Sequence, residues 1–221
     1  MSPSNRSPKE RWLHLAPMVS PPPPKEPIDD EALIRSLRSG DVRAARAFYD
    51  RLVPVVQATI YRILGGRACD HEDLVQAAFE QIVMTLVRER FSRGCSLSTW
   101  ASSVAGHVAL KSLRALRRSR AVFDPVELSE VADRGATGNA ERDASARQQI
   151  RTVQMHLAAM SPKKAMVVVL HDVLGHELAE VSVMLGISVS AAQSRLVRGR
   201  SDLLGRLDGG THAHQEGHNV A

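Results

Sequence analysis

Residues 178–198 read LAEVSVMLGISVSAAQSRLVR, and this stretch decides the fold. Apolar positions Val181, Leu185, Ile187, Val189 and Leu196 recur at helical spacing on either side of Gly186. Glycine lets the chain turn through positive φ, and the small Ser182 four residues earlier lets two helices approach closely. The layout is that of a helix-turn-helix, with helices over 177–185 and 188–207. In the second helix Val189, Ala192, Leu196 and Leu203 face the core. That leaves Gln193, Ser194, Val197 and Arg198 on the outer surface as candidate base readers, with Arg198 suited to guanine and Gln193 to adenine. Arg195 and Arg200 flank this surface and suit phosphates, which position a helix without specifying sequence.

Two more helical segments precede the reader, over 145–159 and 161–174, the latter opened by Ser161-Pro162 and closed by Gly175. Upstream, the periodicity fades over 123–144, where Pro125, Gly135 and Gly138 punctuate a polar stretch. Six acids (Asp124, Glu127, Glu130, Asp133, Glu141, Asp143) stand there against Arg134 and Arg142, a net charge of −4, so the segment reads as a linker. Before it a helix over 98–120, capped by Ser98, carries Trp100, Val104 and Val108 on one face, and a loop spans 91–97. Asp70 begins a helix running to Arg90, with Val75, Phe79, Ile82, Val83 and Leu86 as its buried stripe. Glu72, Asp73, Gln76 and Glu80 form a polar stripe opposite. Asp41 caps an earlier helix carrying Ala44, Phe48, Leu52, Val55 and Val56, with a kink expected at Pro54. Asp29 or Asp30 caps a short helix through Leu33, Ile34 and Leu37 that ends at Gly40. No β-type alternation appears, so the expected fold is all-α, with two small helical domains joined by a flexible linker. The expected bounds are a disordered Pro-rich extension over 1–27, a first domain over 28–121, a linker over 122–144, a reader domain over 145–208 and a disordered His-containing tail over 209–221.

The 221 residues carry a formal charge of +5, dominated by arginine, which favours a polyanionic partner. Five cations, Lys111, Arg114, Arg117, Arg118 and Arg120, fall within residues 111–120, and their mutual repulsion is relieved by phosphates. Two cysteines, Cys69 and Cys95, lack zinc spacing and a resolving partner, which fits a reducing cytoplasm and argues against a redox sensor. No apolar run has the length of a membrane span, and no signal-peptide core precedes the first helix. No catalytic triad, phosphate loop or carboxylate pair has a suitable context, so neither an enzyme nor a cofactor is expected. His212, His214 and His218 lie in a Gly-rich tail without supporting groups and read as disorder, so no metal site is expected.

Three motifs in order resemble the extracytoplasmic-function sigma factors. Residues 69–79 (CDHEDLVQAAF) are similar to that family's D-x-E-D-L-V-Q-E-x-F segment. Residues 91–100 (FSRGCSLSTW), followed by a basic helix, resemble its F-S-T-W segment. Residues 161–175 and 185–196 resemble its C-terminal promoter reader. The resemblance implies a transcription initiation factor that binds core RNA polymerase at the β′ clamp and β flap and recognises minus-35 and minus-10 promoter DNA. It implies polymerase docking through Asp70, Glu72, Asp73, Gln76 and Glu80. The upstream strand would be held by Arg93, Gly94, Cys95, Ser96 and Leu97 with His107, Lys111, Arg114, Arg117 and Arg118, the small loop residues forming a pocket for an extruded base. It further implies an anti-sigma partner, a cytoplasmic, nucleoid-associated protein held at the membrane when that partner is there, and no small-molecule substrate. Trp100 reads as core rather than as a stacking platform. The acidic linker reads equally as a segment threading the polymerase RNA channel or as a spacer.

Four positions depart from the family pattern. His107 stands where an asparagine is common, Gln193 replaces a Lys or Arg, Ala191-Ala192 replaces Thr-Val, and Glu177 replaces a Ser or Thr cap while keeping a charge that favours a helix N-terminus. Two rival readings are a stand-alone helix-turn-helix regulator, which needs neither Glu72 and Asp73 nor the loop, and a degenerate sigma-like chain that sequesters an anti-sigma factor.

Overall fold

The computed structural model describes residues 29–66, 70–88, 91, 94–122 and 140–216. The Pro-rich extension, Cys69, Arg93, residues 123–139 of the linker and His218 lie outside them. So do the side chains of Arg120, His212 and His214. The described residues form helices α1 (Asp30–Arg38), α2 (Val42–Leu64), α3 (His71–Val87), α4 (Leu97–Val122), α5 (Ala140–Ala159), α6 (Pro162–Val168), α7 (Leu178–Leu185) and α8 (Val189–Glu216). Among them there is no strand.

The first four helices surround one apolar cluster. Leu52, Val56 and Ile60 of α2, Ile82 and Leu86 of α3, and Leu97, Ala101 and Ala105 of α4 are fully buried in it. Burying side chains of this size is worth about 1.5–3 kcal/mol each, which is why α2 runs unbroken through Pro54 despite the missing backbone donor. The inward face of α3 is His71, Val75, Ala78, Ile82 and Leu86, the 3.6-residue period read from its first turn. Val83, expected in that stripe, is exposed instead because Ala78 and Ile82 occupy the core side of its turn. The helix also stops at Val87, three residues before the expected end, with Arg88 as its C-cap. Arg38 donates twice to the Leu86 carbonyl, from Nε (3.1 Å) and Nη2 (2.8 Å), and so closes this end.

Helix α4 begins at Leu97, not after Ser98. The Ser96 hydroxyl accepts from the Thr99 N–H at 3.0 Å, so Ser96 is the cap. The Leu97 N–H, another orphan of that first turn, donates to Asp30 Oδ2 at 2.8 Å, and Arg51 pairs with the other Asp30 oxygen. Asp30 therefore ties α1, α2 and the start of α4 together. Trp100 is buried against Phe91, ring centroids 5.0 Å apart, in agreement with its reading as core.

A second apolar cluster joins the two halves of the chain. Leu157, Met166, Val167, Val169, Leu170, Val181 and Leu196 pack with Ile63 of α2 and with Ala109, Leu110 and Leu113 of α4. Helix α5 starts at Ala140, so Glu141 and Asp143, expected in the linker, lie on a helix. After α6 the chain widens into one π-helical turn, Val169–Val173, where a plain helix was expected. That turn buries both Val169 and Leu170, and His171 Nδ1 donates to the His176 carbonyl at 2.8 Å. Helix α8 extends to Glu216, nine residues beyond the expected end, so the start of the tail expected to be disordered is helical.

Candidate nucleic-acid interface

The turn between α7 and α8 is set by backbone chemistry. Gly186 has φ +61° with nothing within 4 Å of where a side chain would sit, so conformation rather than space requires glycine. The Ile187 N–H bonds the Ser182 carbonyl at 2.9 Å, and buried Ser182 gives its hydroxyl to the Ala179 carbonyl. Glu177 caps α7, its N–H donating to Glu180 Oε2 at 3.1 Å. At the start of α8 the Ser188 hydroxyl accepts from the Ala191 N–H. Ala192, Leu196 and Leu203 are buried as expected, but Val189 is half exposed because it is the first residue of the helix, ahead of the packed turns.

Gln193, Val197 and Arg198 lie exposed on α8, and Ser194 and Arg195 are half-buried. Arg198 is held along the helix by Ser194, which accepts through its carbonyl and, at 2.6 Å, its hydroxyl. Arg200 differs from expectation. Its guanidinium forms a two-point pair with Asp172 of the π-helical turn, which raises its pKa and commits its Nε and Nη2 to that carboxylate. Gly199 is buried in α8, where a Cβ would meet Val168 Cγ2 at 2.7 Å, so glycine brings α6 and α8 into contact.

On α4, His107, Lys111, Arg114 and Arg118 fall at i, i+4, i+7 and i+11, one face of the helix, with Arg117 beside them. His107, Lys111, Arg117 and Arg118 are exposed. His107 Nδ1 donates to the Ser103 carbonyl at 2.9 Å. Arg114 is half-buried. Burial, and then Arg118, lowers its pKa, and its Nε and Nη2 have no hydrogen-bond partner among the described residues. Gly94 and Ser96 are exposed and Cys95 is half-buried at the head of the same helix. Burial raises the Cys95 thiol pKa, so its reactive thiolate is scarce. Leu97 cannot serve this site, because its side chain is fully buried in the first cluster.

Asp70, Glu72, Asp73, Gln76 and Glu80 are all exposed at the start of α3 and along its outer face, with Gln76 Nε2 bonded to Glu80 Oε1 at 3.1 Å. Three residues shape these surfaces in ways the sequence reading did not foresee. They are Asp30, which holds the head of α4, Asp172, which engages Arg200, and Gly106, where a Cβ would stand 3.0 Å from Met166 Cε. For Gly106 a signal existed in the small and apolar series Ser102, Gly106, Ala109 and Leu113, a second stripe on α4 that its own core does not use.

A helix-turn-helix with an outward polar face, joined to a second bundle carrying a basic helix, is the layout of a DNA-binding protein. The Sigma-70 region 2 family matches residues 48–119 and the Sigma-70 region 4 family residues 150–203. The chain is 29% identical over 174 residues to RNA polymerase sigma factor CarQ of Myxococcus xanthus, covering 77% of this chain and 95% of that one. It is 25% identical to ECF RNA polymerase sigma factor SigC of Mycobacterium tuberculosis, covering 80% and 91%. A solved structure of CnrH in complex with the cytosolic domain of CnrY aligns at 23% identity and a TM-score of 0.48, covering 81% of this chain and 97% of that one. The chain belongs to the sigma-70 family of RNA polymerase sigma factors, in its extracytoplasmic-function branch, and its role is in transcription initiation.

Proposed function

We propose that the three surfaces divide the work of initiation. The exposed acids Glu72, Asp73 and Glu80, with Asp70 and Gln76, dock on a basic surface of core polymerase, the β′ clamp. Residues 94–96 form a rim of small side chains for an extruded base, and Arg93 in the same loop is assigned to that strand by its place in the sequence. The stripe of His107, Lys111, Arg114 and Arg118, with Arg117, holds the strand's phosphates below the rim. Gln193, Ser194, Val197 and Arg198 read the minus-35 duplex and Arg195 holds its backbone, while Arg200 braces α8 through Asp172. Strand opening by this route needs binding energy alone, so the chain acts without catalysis, in the cytoplasm where polymerase and nucleoid are, and the anti-sigma partner is carried over from the family. Among the described residues no helix is long and apolar enough to cross a membrane.

The observation that carries the reading is the single face of α4 that continues from the loop into four evenly spaced cationic or titratable side chains. Run-off transcription with core polymerase on a promoter library tests it. The expected result is transcripts above core alone, lost on Asp73→Arg with duplex binding intact. No transcript above core alone overturns it, and so does an unchanged yield from Asp73→Arg.

A further inference from the structure

Beside the turn between α7 and α8 lies a cavity of about 310 Å³, within the roughly 300–1,000 Å³ typical of small-molecule pockets. Three basic side chains line it, His107 of α4, Lys163 of α6 and Arg195 of α8. Its apolar wall is made by Pro162 and Met166 of α6 and by Leu185 and Ile187 on either side of Gly186. None of the residues lining it is acidic.

The fold fixes these walls. A Cβ on Gly106 would stand 3.0 Å from Met166 Cε, so the bare glycine lets Met166 rest on α4. Gly186 turns the chain at φ +61°, and the Ile187 N–H bonds the Ser182 carbonyl at 2.9 Å, which holds Ile187 at the end of the turn. The His107 ring is oriented by its bond to the Ser103 carbonyl.

The cations are selective in their pairing. Lys164 and Arg206 share Asp202, at 3.2 and 2.8 Å, and Arg200 is paired with Asp172. Lys163 and Arg195, the two that line the cavity, have neither a carboxylate nor a hydrogen-bond partner among the described residues. Two cations without counter-charge beside an apolar wall suit an anion that carries an apolar body. The guanidinium offers parallel donors and the ammonium a point charge, a combination that matches the oxygens of a phosphate. A phosphate monoester carries about −1.5 to −2 charges near pH 7, which balances the two cations. Inorganic phosphate would leave Met166, Leu185 and Ile187 uncovered, whereas a ring attached to the phosphate would remove that surface from water.

We propose that this cavity binds a small organic phosphate monoester, its head held by Lys163 and Arg195 and a body of about one ring lying against Met166, Leu185 and Ile187. His107 and Arg195 are also the residues assigned above to the melted strand and the minus-35 backbone. An occupied cavity therefore withdraws both from DNA, and promoter affinity falls as the ligand's concentration rises, with DNA weakening the ligand by the same factor. That coupling rests on the division of surfaces given above, while the site itself does not.

Phenyl phosphate is the probe, titrated into the full chain by isothermal calorimetry with inorganic phosphate as the reference. The expected result is one saturable site that prefers phenyl phosphate at least about fivefold. Lys163→Ala and Arg195→Ala should each weaken it at least about tenfold, the loss expected of one charge-assisted contact. Arg147→Ala, which removes an exposed arginine of α5 outside the cavity, should leave it unchanged. Absence of saturation up to about 10 mM overturns the proposal, as does equal affinity for the two phosphates or indifference to both cavity variants. A single-stranded oligonucleotide without terminal phosphates separates a free ligand from DNA. If it binds through Lys163 while phenyl phosphate does not bind, the cavity belongs to the strand's backbone and the proposal falls. If phenyl phosphate binds as expected but does not displace the oligonucleotide, the site stands and the assignment of His107 and Arg195 to DNA fails, which keeps the two readings apart.

Discussion

Replacing Asp30 by alanine removes two interactions at the head of α4. The first is the hydrogen bond from the Leu97 N–H, a charge-assisted cap worth about 1.5 kcal/mol. The second is the ion pair with Arg51, whose side chain is 25% exposed against 28% for Asp30. A pair shielded to that degree lies between the roughly 0.2–1 kcal/mol of surface pairs and the roughly 3–5 kcal/mol lost on breaking a fully buried one, so about 1.5 kcal/mol is a fair share. Asp30→Ala should therefore cost about 3 kcal/mol. Asp30→Asn, which keeps an acceptor for Leu97 but loses the charge, should cost about half that. With a urea slope of about 2 kcal/mol/M, the alanine variant's midpoint falls by about 1.5 M. Because the same carboxylate sets where residues 94–96 stand, open complexes formed by the alanine variant should also decay faster at temperatures where it remains folded. A stability loss below about 0.5 kcal/mol, or an asparagine variant as damaged as alanine, would refute the role of Asp30 as the anchor of the first turn of α4.

Gly186→Val should lose more than about 1 kcal/mol in thermal unfolding, since φ +61° disfavours any side chain and a β-branched one most, and duplex affinity should fall with it. Lys111→Ala should lower the slope of log affinity against log salt by about 0.7 on single-stranded DNA, read by anisotropy titrations at several ionic strengths. Acidification should destabilise the fold. Burial lowers the pKa of His176, with Glu180 opposing and Arg62 reinforcing, and burial also lowers that of His156. A histidine whose folded pKa is depressed contributes stability that is present above its ordinary value near 6.5 and lost as pH falls through the folded one. The melting temperature should thus drop between pH 7.5 and 5.5, and His176→Gln should flatten part of that drop. Arg200→Ala should lower stability, through the loss of its Asp172 pair, more than it weakens DNA binding, whereas Arg198→Ala should do the reverse.

The parts of the fold that depend on neighbouring residues were legible in the sequence. Ser182, Gly186 and Leu196 announce the turn because helix stop, close approach and inward face are fixed within a few residues of each other. The outward face of α3 was equally plain, since alternation between acid and apolar positions is a property of the helix itself. What could not be read were contacts made across the chain. Arg200 and Asp172 are 28 residues apart, and nothing local distinguishes Arg200 from the other arginines of α8. Leu97 looked like a loop residue because the cap was assigned two positions late, and that error turned a core side chain into a candidate contact. Val83 follows Ile82 directly, and only the position of α3 against α2 and α4 decides which of the two is buried.

Helix α4 has 26 residues, about 39 Å of rod, and three of its faces are engaged. Ala101, Ala105 and Val108 serve one core, Gly106, Ala109 and Leu113 the other, and the stripe from His107 to Arg118 the strand. A substitution on most of its turns therefore answers to two or three requirements at once. Among diverging copies of this gene, change should be slow along α4 and should arrive in linked pairs, with a larger residue near 106 accompanied by a smaller one at 166.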